Sequence, residues 1–174
     1  MSFTIAMLFV DTNVFIYARN AREPAKQKLA QLWVDHAWRE QSGRTSIQVL
    51  SEYYVNVTRK IDPPRDPHDA WDDVKALMTW NPLPVDRALL EAGRAVETRY
   101  RLSWWDSLIV AAAQLQGCAL LLSEDFQDGA NYGGVTVRSP FTLGVSEGAS
   151  AYRAADMPTP RHRPRGRPRK AVAA

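Results

Sequence analysis

The apolar residues of this chain form short unbroken runs and longer stretches with helical spacing. Residues 7–10 (MLFV) and 119–122 (ALLL) are unbroken runs that end at polar residues, which predicts two buried strands. Residues 135–137 (VTV), introduced by Gly133-Gly134, predict another strand at an edge of the sheet. Elsewhere apolar residues recur at steps of three or four, and they predict helices that begin near Val14 and span about residues 24–40, 46–60, 66–80, 87–100 and 104–116.

Capping and breaking residues set the expected ends of these helices. Asp86 and Ser103 are typical N-caps, Gly43 is expected to end the helix before it, and Pro63-Pro64 to stop the next one. Because short apolar strands alternate with helices, the sequence predicts an α/β fold with a parallel sheet covered by helices on both faces.

Composition and charge divide the chain into a domain and a tail. The 174 residues suit one domain, and after Gly144 the sequence becomes rich in Gly, Ala, Pro and Arg without periodicity. We therefore expect a folded domain over residues 1–145 and a disordered basic tail over residues 146–174. Residues 151–174 hold six arginines and one lysine against one aspartate, a net charge of +6, which leaves −3 for residues 1–150.

The expected location is the cytoplasm. The apolar N-terminus has no basic flank and meets Asp11 after ten residues, too soon for a signal peptide or a membrane helix. Cys118 is the only cysteine, which excludes an internal disulfide.

Acidic residues directly follow both predicted buried strands. Asp11 ends the first run, and Ser123, Glu124 and Asp125 follow the second. Ligands of parallel sheets bind at the carboxyl ends of the strands. Taken singly, these acids are ordinary capping or turn residues; together, at one edge of a sheet, they indicate a site.

Two further carboxylates lie in largely apolar helical surroundings. Glu52 stands within residues 47–55 (IQVLSEYYV) and Asp106 within residues 104–110 (WWDSLIV). A buried carboxylate needs a cation, a basic partner or a proton. Glu52 is also interpretable as part of a buried ion pair and Asp106 as a helix-terminus stabiliser, so their significance rests on the combination with the acids at the strand ends.

A cluster made only of carboxylates favours a hard divalent cation. Mg2+ and Mn2+ prefer oxygen ligands, whereas zinc prefers nitrogen and sulfur, and the chain offers one cysteine and three widely separated histidines. The sequence contains neither a Walker phosphate loop nor a Gly-x-Ser-x-Gly elbow. Carboxylate-held cations can activate water and stabilise a leaving oxygen, so phosphodiester hydrolysis is the favoured chemistry.

Four segments resemble the motifs of PIN domains, especially those of the VapC-type toxin nucleases of VapBC toxin–antitoxin modules. They are residues 8–14 (LFVDTNV), 46–54 (SIQVLSEYY), 102–109 (LSWWDSLI) and 121–129 (LLSEDFQDG), in the order and spacing of that family. The resemblance runs from about residue 7 to residue 141. Ser107 stands where many relatives have Ala, and Ser139 where they often have Asn, but neither difference removes a charge from the site.

The resemblance implies a three-layer α/β/α sandwich with a central, mainly parallel sheet. It also implies endonucleolytic cleavage of RNA with Mg2+ or Mn2+, inhibition by a cognate antitoxin protein, and a homodimer. The catalytic and metal-binding carboxylates that it implies are Asp11, Glu52, Asp106 and Asp125, with Asn13 and Ser123 as supporting polar groups. Asp128 competes with Asp125 for the place of the fourth acid.

The tail carries a separate motif. Arg165-Gly166-Arg167-Pro168 looks like the core of an AT-hook, in which glycine lets the backbone approach the minor groove of A·T-rich DNA between flanking arginines. A nonspecific attraction to nucleic acid explains the same residues equally well.

Two other functions compete with the nuclease. A non-enzymatic DNA-binding or regulatory protein would act through the tail, and the retention of all four acids argues against it. A metal-dependent phosphatase would need an Asp-x-Asp pair, but Asn13 replaces the second aspartate.

Overall fold

The computed structural model describes residues 6–145, which form one five-stranded sheet and six helices. The strands are β1 (Leu8–Val10), β2 (Gly43–Arg44), β3 (Leu120–Leu122), β4 (Asn131–Tyr132) and β5 (Val135–Arg138). The helices are α1 (Thr12–Arg19), α2 (Pro24–Arg39), α3 (Ile47–Arg59), α4 (Pro67–Met78), α5 (Arg87–Tyr100) and α6 (Trp104–Leu115). The predicted disordered tail and its Arg-Gly-Arg-Pro segment lie outside the described residues.

The sheet has the strand order β2-β1-β3-β5-β4. β1 runs parallel to β2 and β3, β3 runs parallel to β5, and only the last pair, β4 and β5, is antiparallel. The register pairs Leu8 with Leu120 and Val10 with Leu122, so β1 and β3 end level with each other. The residues that follow these two strands therefore emerge side by side.

The core lies on both faces of the central strands. Phe9, Val10, Leu121, Leu122 and Val137 are completely buried, which explains why β1 and β3 are unbroken apolar runs rather than alternating ones. The helices form two contacting groups: α1 packs on α2 and α3, α3 packs on α4, and α5 packs on α6. The predicted mainly parallel sheet flanked by helices is confirmed.

Two predictions about the sheet edges are wrong. β5 is not an edge strand, because β4 pairs with its outer side through a hairpin turn at Gly133 and Gly134, which have φ of 60° and 98°. Gly43 does not end a helix: α2 stops at Arg39, and Gly43 begins the edge strand β2. A Cβ atom on Gly43 would lie 2.5 Å from Cζ3 of Trp80, so the tryptophan ring takes the place of a side chain there.

The predicted N-caps are confirmed at two helices, where Asp86 accepts a hydrogen bond from the Leu89 amide and Ser103 from the Asp106 amide. α1 begins at Thr12, two residues earlier than predicted, because the Asp11 side chain caps it. None of the described helices has the length and apolar character needed to cross a membrane.

Candidate active site

The carboxyl ends of β1 and β3 bring Asp11 and Ser123 together. The Asp11 amide donates to the Leu122 carbonyl at 3.1 Å, which extends the pairing of the two strands by one step. The Ser123 hydroxyl donates to Oδ2 of Asp11 at 2.7 Å, and the Thr12 amide donates to Oδ1 at 2.7 Å. Asp11 is 5% exposed, so its carboxylate sits in a pocket of neutral donors.

Asn13 connects this carboxylate to a second one. Its Nδ2 atom lies 3.0 Å from Ser123 Oγ, 3.0 Å from Asp125 Oδ2 and 3.5 Å from Asp11 Oδ2. The Asp125 amide donates to Ser123 Oγ at 3.1 Å. A single amide and a single hydroxyl therefore set the positions of Asp11 and Asp125 relative to each other.

Glu52 reaches the same group of residues from α3. The Thr12 hydroxyl donates to Oε2 of Glu52 at 3.1 Å, and Nε2 of Gln48 donates to Oε1 at 3.0 Å. Neither Thr12 nor Gln48 was expected to take part. The signals that point to them are the place of Thr12 between Asp11 and Asn13, and the spacing of one helical turn between Gln48 and Glu52.

Asp106 stands apart from the other three acids. It lies in the first turn of α6, where its Oδ2 accepts a hydrogen bond from the Ser103 hydroxyl at 2.7 Å. No hydrogen bond in the described part of the chain joins it to Asp11, Glu52 or Asp125. Its helix nevertheless borders the site, since the neighbouring Trp105 and Glu52 line the same cavity.

Asp125 and Asp128 have different surroundings. Asp128 accepts hydrogen bonds from the Ser139 amide at 2.8 Å and from Thr142 Oγ1 at 3.3 Å, and it pairs with Arg138 at 3.0 Å. The backbone hydrogen bond from Ser139, followed by Arg138, holds the pKa of Asp128 below its usual value. Asp128 thus ties its loop to the chain after β5, whereas Asp125 contacts Asn13 and Ser123.

The contacts of Glu124 with Tyr17 and Lys26, which sequence reasoning missed, hold the loop that carries Asp125. The Tyr17 hydroxyl donates to Oε1 of Glu124 at 2.7 Å, and Lys26 Nζ lies 3.0 Å from Oε2 of Glu124. Lys26 also stands 4.4 Å from the centre of the Tyr17 ring. The residue before Asp125 is therefore neutralised by a lysine and is anchored to α1 and α2.

The electrostatic character of Asp11 is unusual. Burial raises its pKa from 3.8 to about 6; hydrogen bonds from Ser123 and Thr12 oppose this shift, while the charges of Asp125 and Glu52 add to it. Within residues 6–145 no lysine or arginine forms an ion pair with Asp11. A shift of this size means that keeping the ionised carboxylate at neutral pH costs about 3 kcal/mol.

The donor set fits a hard divalent cation. Asp11, Asp125 and Glu52 present carboxylate oxygens, the ligand type that Mg2+ and Mn2+ prefer, and a cation would offset the uncompensated charge of Asp11. In the described part of the chain no three acidic, histidine or cysteine side chains stand close enough to form a ready-made cage. A cation at this edge would therefore have to draw its ligands together.

The fold and this edge define a mainly parallel α/β protein with an anionic, oxygen-rich centre where the strands end. The family model of the PIN domain matches residues 8–127, and the chain belongs to that family. Proteins with PIN domains are generally nucleases. The resemblance that the four motifs carry is thereby confirmed.

Solved structures agree with the fold. A toxin-antitoxin complex from Klebsiella pneumoniae contains a similar chain, which is 24% identical, with a TM-score of 0.56 over 79% of this chain and 100% of that one. At this identity the likeness shows a shared fold. No curated protein matches the chain.

Proposed function

We propose that the protein is an endoribonuclease that depends on Mg2+, with Mn2+ as a substitute, and that it is the toxin of a toxin–antitoxin system. The family supports a nuclease, and the similar solved chain belongs to a complex of a toxin with its antitoxin. The observation that carries the proposal is the buried Asp11, held by neutral donors and adjoined by Asp125 and Glu52 at the carboxyl edge of the sheet.

The acids need a cation before they can act on RNA, because carboxylates and a phosphodiester repel each other. A bound divalent cation would offset this charge, lower the pKa of a water molecule and stabilise the leaving oxygen. Asp11, Glu52, Asp106 and Asp125 are the residues that we propose hold it. The cation is also the reason why this part of the fold can keep a buried carboxylate without an arginine.

The neutral residues around the acids have a positioning role in this proposal. Asn13 and Ser123 fix the directions of Asp11 and Asp125, and the Gln48 amide and the Thr12 hydroxyl fix Glu52. Such partners reduce the reorganisation that cation binding requires. We propose Asp125 rather than Asp128 as the fourth acid, because Asp128 is engaged by Arg138, Ser139 and Thr142.

The test is incubation of the purified full chain with structured RNA, with Mg2+ or with EDTA. We expect cleavage with Mg2+, none with EDTA, and a loss of roughly 1,000-fold for Asp106→Asn, since removing a carboxylate from a metal site costs several kcal/mol of transition-state stabilisation. Asp72→Asn, which changes an exposed acid paired with Lys75, is the matched control and should cleave normally. Cleavage that persists in EDTA would contradict the proposal.

The predicted partners remain predictions. Co-expression with a candidate antitoxin should give a complex of the two proteins, and size-exclusion chromatography should show a homodimer of the chain alone. For the tail, deletion after Ser146 followed by binding to A·T-rich and G·C-rich duplexes separates an AT-hook from nonspecific attraction. A selective loss on the A·T-rich duplex indicates a hook, and an equal loss on both indicates electrostatics alone.

A further inference from the structure

A cavity of about 490 Å³ opens beside the acidic residues, between α3 and the first turns of α6. It is lined by Gln48, Ser51, Glu52, Val85, Trp105 and Leu108. We call it the Trp105 cavity. Because Glu52 also accepts a hydrogen bond from Thr12, the cavity adjoins the residues proposed to hold the cation.

Trp105 is the unusual member of the lining. Its side chain is 63% exposed, more than any other large hydrophobic side chain in the described residues, although it precedes Asp106 directly. Val85, a second apolar lining residue, lies on the link before α5 and is 50% exposed. Leaving this apolar surface in water is unfavourable, and an aromatic ligand that covers the indole would recover part of that free energy.

The polar side of the lining suits a ligand with hydrogen-bonding edges. Gln48 and Ser51 lie on the turn of α3 that also carries Glu52. The amide oxygen of Gln48 and the hydroxyl oxygen of Ser51 can accept hydrogen bonds from an exocyclic amine or a ring N–H. The cavity combines an exposed indole, hydrogen-bond acceptors and a neighbouring cation site. A flat ring with polar edges that is attached to an anion fits these features better than an aliphatic side chain does.

We propose that the Trp105 cavity binds one nucleobase of a single-stranded RNA, stacked on the indole of Trp105, beside the phosphate that is cut. This inference rests on the proposed function, because the cation site gives the phosphate its place. Stacking on an aromatic side chain tolerates every base, so the cavity selects unpaired RNA over duplex rather than one sequence. The alternative occupant of the cavity is an apolar side chain of a partner protein, and the test below distinguishes it from RNA.

The test compares tryptophan variants for binding, independently of cleavage. Fluorescence anisotropy with Ca2+ in place of Mg2+, since Ca2+ also takes carboxylate oxygen ligands, would measure the affinity of the full chain for a labelled 12-nucleotide oligouridine and for an abasic 12-mer of the same charge. We expect Trp105→Ala to weaken oligouridine binding roughly 10- to 100-fold with no change for the abasic strand, and Trp105→Phe to keep most of the affinity. Trp71→Ala is the matched control, because Trp71 is 51% exposed on α4 and does not line the cavity.

The outcomes separate the inference from the proposed function. If the wild type cleaves RNA with Mg2+ but Trp105→Ala and Trp71→Ala bind oligouridine alike, the nucleobase site is overturned and the nuclease stands. An equal loss on oligouridine and on the abasic strand also overturns it, because stacking needs a base. If Trp105→Ala loses affinity for oligouridine but not for the abasic strand, and the wild type cleaves no RNA, the nucleobase site is supported and the proposed nuclease activity is contradicted.

Discussion

Among the described residues, Asp11 and Asp73 are both largely shielded from water, but their surroundings are opposite in charge. Asp73 on α4, with a side chain 12% exposed, lies 2.5 Å from Arg19, 2.8 Å from Arg65 and 2.5 Å from the Tyr53 hydroxyl. Asp11 is buried to a similar degree but has only neutral donors and two further carboxylates near it. The fold can neutralise a buried carboxylate with arginines, as it does at Asp73, and it leaves Asp11 without such a partner.

These surroundings distinguish Asp73, which has a structural role, from Asp11, which is available for chemistry. Asp73 joins α1, α3 and α4 through its partners, and burial together with its hydrogen bond raises the pKa of Tyr53. This network holds helices together. The burial of the ionised Asp11 carboxylate lowers the stability of the fold, as is common at functional sites. A cation from solution would provide the positive partner that its surroundings lack.

Substitution of the two aspartates should affect the cleavage rate very differently. Asp11→Asn should lower RNA cleavage roughly 1,000-fold, because it removes a charged ligand from the cation. Asp73→Asn should stay within about threefold of the wild type when the assay is run well below its melting temperature, since no reacting group touches Asp73. Initial rates on one RNA with Mg2+ measure both. A comparable loss in the two variants would remove the distinction between the two aspartates.

The next effect is on stability. Asp73→Asn should lower the free energy of unfolding by about 2–3 kcal/mol, somewhat less than for a fully buried ion pair because Arg19 is 44% exposed. Urea unfolding in EDTA measures it. Asp72→Asn, one position earlier on the same helix, should leave the midpoint unchanged. If Asp73→Asn unfolds at the wild-type midpoint, the network is not what holds α1, α3 and α4 together.

A third comparison asks whether Asp125 or Asp128, which both follow β3, is the fourth acid of the site. Asp125→Asn should lower cleavage roughly 10- to 100-fold, because Asp125 shares the Asn13 amide with Asp11 and belongs to the proposed cation site. Asp128→Asn should leave the rate within about twofold and cost less than about 1 kcal/mol of stability, since its ion pair with Arg138 is partly exposed. The reverse ranking of rates would make Asp128 the fourth acid.

A last comparison concerns the pH dependence of the free energy of unfolding without metal. In the folded protein the pKa of Asp11 is about 6, above its ordinary value of 3.8. Between pH 3.8 and pH 6 the folded state therefore keeps a proton on Asp11 that the unfolded chain has released. The stability that this proton provides is present below pH 4 and is lost as pH rises to about 6. Relative to the wild type in EDTA, Asp11→Asn should therefore gain about 1–3 kcal/mol between pH 4 and pH 7. Parallel stability curves for the two proteins would contradict the raised pKa.

Much of the fold is predictable because its central strands and helix starts depend on local sequence patterns. The buried strands at residues 8–10 and 120–122 are unbroken apolar runs, and the caps Asp86 and Ser103 have the residue types that helix starts favour. β2 and β4 are two residues long and have no periodicity to detect. The inner position of β5 depends on its pairing with β4, and was missed for the same reason.

The candidate site was predictable only in part. The motifs pointed to the four acids and to Asn13 and Ser123, and the fold brings all of these except Asp106 into one hydrogen-bonded group. The arginine network of Asp73 could not be predicted, because Arg19, Tyr53 and Arg65 come from separate elements. The exposure of Trp105 was equally hidden, since an apolar helix start gives no sign of which tryptophan faces outward.

The central claim is that Asp11 is left without a basic partner so that it can bind a divalent cation. Isothermal titration of the full chain with Mg2+ at pH 7.5 tests this directly, with Asp11→Asn and Asp73→Asn titrated under the same conditions. We expect the wild type and Asp73→Asn to bind Mg2+ with similar affinity, and Asp11→Asn to bind it at least roughly tenfold more weakly. Equal Mg2+ affinity in the wild type and Asp11→Asn would contradict it.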